Sequence, residues 1–314
     1  MFHPFLSQLP LSRYEIDRDH LARDRPGLFE ELWRDPATRI LPLWGDRALV
    51  GDSGGSGIPA LALLAADRVP RNGLTLYLGR STSATSPEPP GTPIVAAVLD
   101  ESAAAALDAR PEAWAGLREH GARLSDRDAG LLVEAVALAN WHDSHRFSPL
   151  SGEPTVADRG GWVRRDPATG REIFPRTDAA VIVGITDHDD RMLLGTNARW
   201  DANRFSLLAG FVEPGESLEA AVRREVLEES GLRLAHPMYL GSQPWPFPAS
   251  LMLGFTATVD PLYDDTLRPD GTEVLELRWF SRTELVEALP EVRLPGPTSI
   301  ARSIIETWFG GPLG

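Results

Sequence analysis

Residues 210–232 read GFVEPGESLEAAVRREVLEESGL, and this stretch predicts a strand end, a loop and a helix in succession. The strand ends at Gly210, and the Pro-Gly pair that follows is typical of a turn. Ser217 has the side chain of a helix N-cap, and Gly231 is the residue type that most often ends a helix. The sequence therefore predicts a helix that begins shortly after a strand.

Three glutamates of the predicted helix share one face. Glu225, Glu228 and Glu229 are three or four positions apart, so they lie one above another. Their mutual repulsion would be removed by a hard divalent cation such as Mg²⁺ or Mn²⁺. A solvated acidic helix is the alternative, and three glutamates alone would favour it. The opposite face offers apolar side chains to a core: Leu218, Ala221, Val222, and Val226 or Leu227.

The full spacing of the segment favours the metal site. It fits G-x5-E-x7-R-E-U-x-E-E-x-G-U, in which U is aliphatic, and is identified as a Nudix signature. The segment resembles active Nudix hydrolases at every fixed position. This resemblance implies an α/β fold, a Nudix α/β/α sandwich with a mixed sheet, preceded by a smaller α/β N-terminal domain. The matching residues are Gly210, Glu216, Arg224, Glu225, Val226, Glu228, Glu229, Gly231 and Leu232.

The resemblance also implies a role for each residue. Arg224 pairs with a glutamate of the signature and orients it, and Glu216 supports the loop–helix geometry and could help to hold a metal. The general base that activates water is Glu228 or Glu229. The implied metal ligands are the backbone carbonyl of Ala209 and the side chains of Glu225, Glu228 and Glu229.

A second motif, SQPWPFPASLM, covers residues 242–252. Its three prolines predict a stiff loop without regular strand pairing. Trp245 and Phe247 stand between them and suit stacking on a nucleobase or nicotinamide ring. Composition leaves open the alternative that both aromatic side chains fill a core.

The literal string SQPWPFPAS resembles the hallmark of the NADH pyrophosphatase family within the Nudix superfamily. That resemblance implies hydrolysis of NADH to reduced nicotinamide mononucleotide and AMP, with Mg²⁺ or Mn²⁺, by a homodimer. Some members also remove NAD caps from RNA. The resemblance spans about residues 127–310 and extends to four further strings: WHDSHRF at 141–147, FPR at 174–176, LLAGF at 207–211 and LPGPTSIARSIIETW at 294–308.

Substrate contacts follow from the same resemblance. Phe211 is expected to stack on nicotinamide, and Ala301 to touch substrate through its backbone. Glu273 aligns with an additional metal-site glutamate, with a surface carboxylate at a strand start as the alternative. The implied substrate-binding residues are Phe174, Phe211, Gln243, Pro244, Trp245, Pro246, Phe247, Pro248, Ala249, Ser250 and Ala301.

One departure from the family pattern concerns zinc. Many members carry a four-cysteine zinc ribbon, but this chain has no cysteine, so no structural zinc is expected. The connector would then be held by packing, through Trp162 and Phe147. The positions that match the ribbon cysteines are Ser148, Ser151, Asp166 and Thr169.

Composition excludes other classes of site. The net charge is −14 and all 31 basic residues are arginine, which argues against a broad nucleic-acid or anionic-membrane surface and against a lysine Schiff base. Neither a signal peptide nor an apolar run of membrane-spanning length is seen, so a cytoplasmic location is expected. A local phosphate path for capped RNA could come from Arg164, Arg165, Arg171 and Arg176.

The patterns predict three regions: an α/β scaffold or dimerisation domain at 1–125, a helix with a turn-rich connector at 126–176, and the Nudix domain at 177–314. His142 and His145, near the end of the predicted helix 129–145, are interpreted as polar or capping residues rather than metal ligands. Glycine- and proline-rich loops are predicted at 51–57 and 85–93. The other predicted elements are strands at 40–44, 60–64, 74–78, 94–99, 179–185, 191–195, 206–212, 251–259 and 274–280, and helices at 103–120, 217–230, 281–284 onward and 299–308.

Three functions compete at this point. The leading hypothesis is an NADH diphosphatase, and the second is a hydrolase whose main substrate is NAD-capped RNA. The third is a catalytically inactive Nudix module that senses nucleotides, which the complete set of signature carboxylates disfavours. The sequence does not rank NADH, NAD⁺, capped RNA and other dinucleotides.

Overall fold

A computed structural model of the chain describes residue 5 and residues 9–51 and 59–314. Contacts divide the chain into two units, each described by itself below. Apart from Gly51, the predicted glycine-rich loop at 51–57 lies outside the described residues. Unit 1 comprises Met1–Ser12, Asp178–Pro244 and Ser250–Gly314, and unit 2 comprises Arg13–Thr177 and Trp245–Ala249.

The larger sheet of unit 2 has eight strands within the described residues, in the order β1-β6-β7-β2-β3-β4, with β5 on β2 and β8 on β3. β2 and β7 run parallel, and the other printed pairs are antiparallel. The predicted strands in this region are confirmed, with β4 and β5 in place of one strand. The strands are β1 (Ile16–Asp17), β2 (Arg39–Trp44), β3 (Arg47–Gly51), β4 (Ala60–Leu61), β5 (Leu64–Ala65), β6 (Thr75–Ser81), β7 (Pro93–Val98) and β8 (Trp114–Gly116).

The helices of unit 2 correct one prediction and confirm another. The single helix predicted at 103–120 is wrong, because Pro111 holds the preceding Arg110 in an extended conformation and a strand intervenes. The helix predicted at 129–145 is confirmed and begins earlier because Ser125 caps it. The helices are α1 (Leu28–Arg34), α2 (Glu101–Leu107), α3 (Leu117–His120) and α4 (Asp126–Ser144).

The connector folds into a small antiparallel sheet of β9 (Val156–Asp158), β10 (Val163–Arg165) and β11 (Glu172–Ile173). Trp162 holds it as predicted, since the Arg23 guanidinium lies 3.5 Å from its ring centroid and its Nε1 donates to the Tyr77 carbonyl. The packing predicted for Phe147 is wrong, because this side chain is 60% exposed.

Hydrogen bonds join the positions that match the ribbon cysteines. Ser151 Oγ donates to Asp166 Oδ2 at 2.6 Å, and Asp166 Oδ1 accepts from the backbone N–H of Thr169 at 3.3 Å. Ser148 Oγ accepts from the Ser151 N–H. These hydrogen bonds, first the one from Ser151, lower the pKa of Asp166 to about 2. The absence of zinc here stays a prediction.

Both ring nitrogens of His142, near the end of α4, are engaged by protein groups. His142 is buried, with Nε2 at 2.8 Å from the Gly161 carbonyl and Nδ1 at 2.8 Å from the Arg164 guanidinium. Burial lowers its pKa to about 4, so the ring is neutral near pH 7. His145 is the C-cap residue of α4.

Unit 1 contains a seven-stranded mixed sheet, counted over the described part of the chain, in the order β14-β13-β12-β17-β16, with β15 on β12 and β18 on β13. β12 and β17 run parallel over nine residue pairs, whereas β15 is antiparallel to β12. The strands are β12 (Asp178–Thr186), β13 (Met192–Asn197), β14 (Phe205–Ser206), β15 (Leu208–Phe211), β16 (Leu234–Trp245), β17 (Ser250–Val259) and β18 (Val274–Phe280).

Helices cover both faces of this sheet. Alternate residues of β12 point to opposite sides, so Val181 packs in the core under α5 (Leu218–Ser230) and Ile182 in the core under α7 (Ile300–Phe309). The predicted α/β/α sandwich with a mixed sheet is confirmed. A third helix, α6 (Arg282–Ala288), opens with the predicted capping box of Ser281 and Glu284.

Two features of unit 1 differ from expectation. The prolines at 244–248 do not prevent strand formation, because β16 runs to Trp245 and the turn is confined to 246–249. β16 is an edge strand, where a missing N–H costs no ladder hydrogen bond. Phe5 and Leu9, which fall within the predicted N-terminal domain, pack in the core under α7.

None of the helices in the described ranges is both long and apolar enough to cross a membrane.

Candidate active site

The local sequence positions α5 as predicted. The Ser217 side chain accepts the Ala220 N–H at the start of the helix, and Gly231 ends it at φ 75°. Ala221 and Val226 are fully buried, whereas Leu227 is 40% exposed, so Val226 serves the core. The prediction that the glutamates lie opposite this core is wrong for Glu229, which is three residues after Val226 and is buried on the same side of α5.

The three glutamates differ in burial. The side chains of Glu225 and Glu228 are 16% and 59% exposed, and Glu229 is only 7% exposed. Glu229 Oε2 is buried without a hydrogen-bond partner. Burial, and then the charges of Glu225 and Glu273, raise the pKa of Glu229 to about 8. A buried carboxylate without a partner lacks a compensating cation.

Arg224 links these carboxylates to the rest of the signature. Its guanidinium makes two hydrogen bonds to Glu216, of 2.8 and 2.9 Å. Its Nη1 also lies 3.0 Å from Glu225 Oε1 and 3.1 Å from Glu228 Oε2. Its Nη2 donates to the Phe211 carbonyl on β15. Arg224 therefore contacts three glutamates of the signature and the end of a strand, and its orienting role stays a prediction.

Glu216 has both carboxylate oxygens engaged. Besides Arg224, it accepts the Glu213 N–H at 3.1 Å. The hydrogen bonds from Arg224, and then that from Glu213, lower the pKa of Glu216 to about 2. This geometry favours the supporting role over metal ligation.

Gly210 explains why the signature begins with glycine. A Cβ atom built at this position would lie 2.0 Å from Glu225 Oε1. Any side chain there would displace the carboxylate. The neighbouring Ala209 is exposed on the same strand, and its predicted metal contact stays a prediction.

The carboxylates present fit a divalent cation. Glu229 offers a buried oxygen with no partner, and Glu225 lies in a space that only glycine leaves open. Mg²⁺ and Mn²⁺ bind such oxygens. In the described chain, the three acidic or histidine ligand atoms that come within 4.8 Å of one another belong to Asp187, His188 and Asp189. Asp187, however, already accepts hydrogen bonds from Arg191 and the turn, so this cluster is a stabilised turn.

Glu273 lies in the loop before β18. It is exposed, and its charge contributes to raising the pKa of both Glu225 and Glu229. Its backbone N–H is held by the carboxylate of Asp270 at 3.1 Å. Sequence reasoning missed Asp270; the Asp-Gly-Thr string before Glu273 was the available signal.

The aromatic turn belongs to unit 2 and is fixed there by two residues outside the motif. The rings of Trp245 and Phe247 meet edge to face at 5.0 Å. The Arg118 guanidinium lies 3.8 Å from the Phe247 centroid, and Asn140 Nδ2 donates to the Pro246 carbonyl at 2.8 Å. Both aromatic side chains keep part of their surface exposed. No pattern in the sequence identified Arg118 or Asn140.

Some of the expected substrate contacts are buried. Gln243 is fully buried in unit 1, where Nε2 donates to the Thr298 carbonyl and Oε1 accepts the Leu11 N–H. Ala301 is 1% exposed and donates its N–H to Ser299 Oγ. For Gln243 and Ala301 these contacts indicate a structural role, and a substrate contact stays a prediction.

The other predicted substrate residues are more varied in exposure. Phe174 and Phe211 are 59% and 57% exposed. Pro248 is exposed, Pro244 and Ala249 are half-buried, and Pro246 and Ser250 are buried. Exposure alone therefore favours Phe174, Phe211 and the tip of the turn as contact residues.

The predicted phosphate path is weakened by internal contacts. Arg164 donates to His142 and Thr155, and Arg165 pairs with Asp158 and Glu172. The exposed residues of that cluster are Arg171 and Arg176.

Two protein-family descriptions match the chain. A "NUDIX domain" matches residues 175–301, and an "NADH pyrophosphatase-like rudimentary NUDIX domain" matches residues 37–141. The second match covers much of unit 2, the region for which the sequence patterns predicted only a scaffold or dimerisation domain.

Two of the similar proteins are each named as an NAD-capped RNA hydrolase. "NAD-capped RNA hydrolase NudC" of Mycobacterium tuberculosis (strain ATCC 25618 / H37Rv) is 48% identical over 202 residues, covering 61% of this chain and 64% of that protein. "NAD-capped RNA hydrolase NUDT12" of Homo sapiens is 34% identical over 201 residues, covering 60% and 43%. The chain thus spans less than two thirds of the length of these curated relatives. A solved NUDIX hydrolase from Nitrosomonas europaea is 21% identical, with a TM-score of 0.43 over 53% of this chain and 94% of that one.

The order of the two matched domains, a rudimentary one followed by a complete one, agrees with the strings that resemble the NADH pyrophosphatases. The chain therefore carries a NUDIX domain and an NADH pyrophosphatase-like rudimentary NUDIX domain, and its sequence has no cysteine.

Proposed function

We propose that this protein is a metal-dependent hydrolase that cleaves the diphosphate bond of NADH, and of NAD⁺, to NMNH or NMN and AMP. The observation that carries the proposal is the buried, unpartnered carboxylate of Glu229 on the same helix face as Glu225. The intact signature and the two related domain matches support it.

In this proposal Glu225, Glu228, Glu229 and Glu273 would hold Mg²⁺ or Mn²⁺. When bound, the ion neutralises phosphate oxygens and lowers the pKa of water. Arg224 keeps two of these carboxylates in place through contacts of 3.0 and 3.1 Å. Glu216 anchors Arg224, so the loop, the helix and β15 are fixed before substrate arrives.

The reaction requires a group that accepts a proton from the attacking water. Water adds to one phosphorus, the anhydride P–O bond breaks, and the proton passes to a carboxylate. Glu228 and Glu229 are the two candidates. Glu228 is 59% exposed and can meet bulk water, whereas Glu229 is buried, and burial followed by the neighbouring carboxylates raises its pKa to about 8. A pH profile of kcat for Glu228→Gln separates them, since loss of the base abolishes the rise of kcat with pH.

The aromatic turn supports a dinucleotide substrate. Trp245 and Phe247 are partly exposed and held rigid by Arg118 and Asn140, which suits stacking on a flat ring. A second candidate, NAD-capped RNA as the main substrate, is favoured by the names of the mycobacterial and human relatives. The net charge of −14 weighs against extended contacts with RNA. So do Arg164 and Arg165, because their guanidinium groups already bind His142 and Asp158 within the protein.

The deciding experiment compares kcat/KM for NADH, NAD⁺, ADP-ribose and NAD-capped RNA on one preparation, with Mg²⁺, with Mn²⁺ and with EDTA. We expect NADH to be cleaved best and EDTA to stop all cleavage. Glu229→Gln should abolish activity, whereas Glu219→Gln, an exposed glutamate of the same helix, should not. A preference for capped RNA would make the second candidate the main role. Wild-type protein without any cleavage would leave a nucleotide-sensing module.

The oligomeric state and the cellular location remain predictions. A homodimer and a cytoplasmic location both come from the family resemblance and the sequence. Light scattering of the purified chain tests the first directly.

A further inference from the structure

A loop at 268–274 docks against the end of the signature helix. The Arg268 N–H donates to the Ser230 carbonyl at 2.9 Å. The Arg268 side chain packs beside Gly231, where an added Cβ would lie 3.2 Å from it. The loop therefore starts from a fixed point on α5.

Asp270 organises the rest of this loop. Its Oδ1 accepts the Val274 N–H at 2.7 Å, and its Oδ2 accepts the Thr272 hydroxyl at 2.5 Å and the Glu273 N–H at 3.1 Å. These hydrogen bonds, first that from Thr272, lower the pKa of Asp270 to about 2. One charged carboxylate thus closes the turn that leads into β18.

Both the backbone N–H and the backbone carbonyl of Glu273 are consequently hydrogen-bonded. Asp270 takes its N–H, and its carbonyl accepts the Ala198 N–H at 2.8 Å. The side chain is exposed, yet its charge acts on Glu225 and Glu229. The second of these offers the buried oxygen without a partner. The backbone around Glu273 is therefore set before any cation binds.

We propose that Asp270 is a positioning residue for the metal site, because it directs Glu273 toward the carboxylates of the signature helix. The proposal rests on the proposed function, in which Glu273 is a metal ligand. Without Asp270, the backbone N–H groups of Thr272, Glu273 and Val274 lose their acceptor. The loop then gains conformations, so metal binding has to order it.

The test measures Mn²⁺ binding to the full-length, substrate-free protein, by electron paramagnetic resonance of free Mn²⁺. We expect Asp270→Ala to raise the Kd about tenfold or more, the range typical of residues that orient metal ligands. Asp270→Asn keeps an acceptor oxygen and should weaken binding less. Asp260→Ala is the matched control, since Asp260 also caps a turn in unit 1 by accepting the Leu262 N–H. Thermal unfolding confirms that each variant is folded.

A double variant separates positioning from a general effect. If Asp270 acts through Glu273, Asp270→Ala combined with Glu273→Gln should bind Mn²⁺ no more weakly than Glu273→Gln alone. Additive losses, or wild-type affinity in Asp270→Ala, would overturn the proposal. Unchanged affinity in Glu273→Gln, with loss in Glu225→Gln, would overturn it together with the ligand role of Glu273 but leave the signature site intact. Wild-type protein that binds no Mn²⁺ would overturn the proposed function as well.

Discussion

Glu229→Gln should make the metal-free protein more stable at alkaline pH, although it should abolish activity. Glutamine has nearly the shape of glutamate but carries no charge. In the folded chain Glu229 is 7% exposed and its Oε2 has no partner, and burial followed by neighbouring carboxylates raises its pKa from 4.5 to about 8. The folded state therefore favours the neutral form of this group.

The sign of the pH dependence follows from the raised pKa. The contribution of Glu229 to stability is fully present below pH 4.5 and is lost as the pH rises through 8. At 1.36 kcal/mol per pKa unit, the ceiling is about 5 kcal/mol. Relaxation of the loop and access of water lower this to about 2–3 kcal/mol, or roughly 5–10 °C in Tm for a domain of this size.

The assay is thermal unfolding in EDTA at pH 5 and pH 8.5 for the wild type, Glu229→Gln and Glu219→Gln. All other carboxylates are common to the first two proteins, so their difference isolates Glu229. We expect similar Tm values at pH 5 and a higher Tm for Glu229→Gln at pH 8.5. Mn²⁺ should then raise the Tm of the wild type at pH 8.5 but not that of the variant. Parallel pH curves for the two proteins would refute the reasoning.

Three further variants test other contacts of the site. Arg224→Ala removes four contacts to carboxylates and a contact to β15, so we expect a loss of about 2 kcal/mol in unfolding free energy and about a hundredfold loss in kcat/KM; wild-type activity would contradict its orienting role. Gly210→Ala places a Cβ against the Glu225 carboxylate and should weaken Mn²⁺ binding about tenfold, whereas Gly296→Ala, with nothing within 4 Å, should not. Arg118→Ala loses its stacking on Phe247, worth about 1 kcal/mol, so the KM for NADH should rise several-fold at unchanged kcat; an equal effect in the exposed Arg34→Ala would show that the loss is unspecific.

The signature helix could be predicted from the sequence because its determinants are local. Ser217, Gly231 and the spacing of the glutamates act within a few residues of one another. The helix predicted at 103–120 is wrong for an equally local reason, since Pro111 interrupts an alanine-rich stretch. Caps and prolines, which act locally, thus determine where these helices begin and end.

Long-range contacts account for what the sequence did not reveal. Prolines exclude a central strand but not an edge strand, and only the sheet order shows that β16 lies at an edge. Asp270 looks like any turn residue until the charge of Glu273, whose backbone it holds, is known to act on Glu229. Arg118 and Asn140 come from segments distant in sequence from the turn that they hold.

The geometry of unit 1 shows how the glutamates proposed as metal ligands are restrained. Each is restrained by a different segment: Glu225 by the space left at Gly210, Glu228 by Arg224, and Glu273 by Asp270. Glu229 is the most deeply buried of the set, and its buried Oε2 has no hydrogen-bond partner. Because these restraints limit rotation of the other side chains, the repulsion between the carboxylates is retained, and it acts most strongly on Glu229. A cation that binds at Glu229 would offset this repulsion, so metal affinity depends on residues that do not touch the metal, and loosening any one restraint should weaken binding.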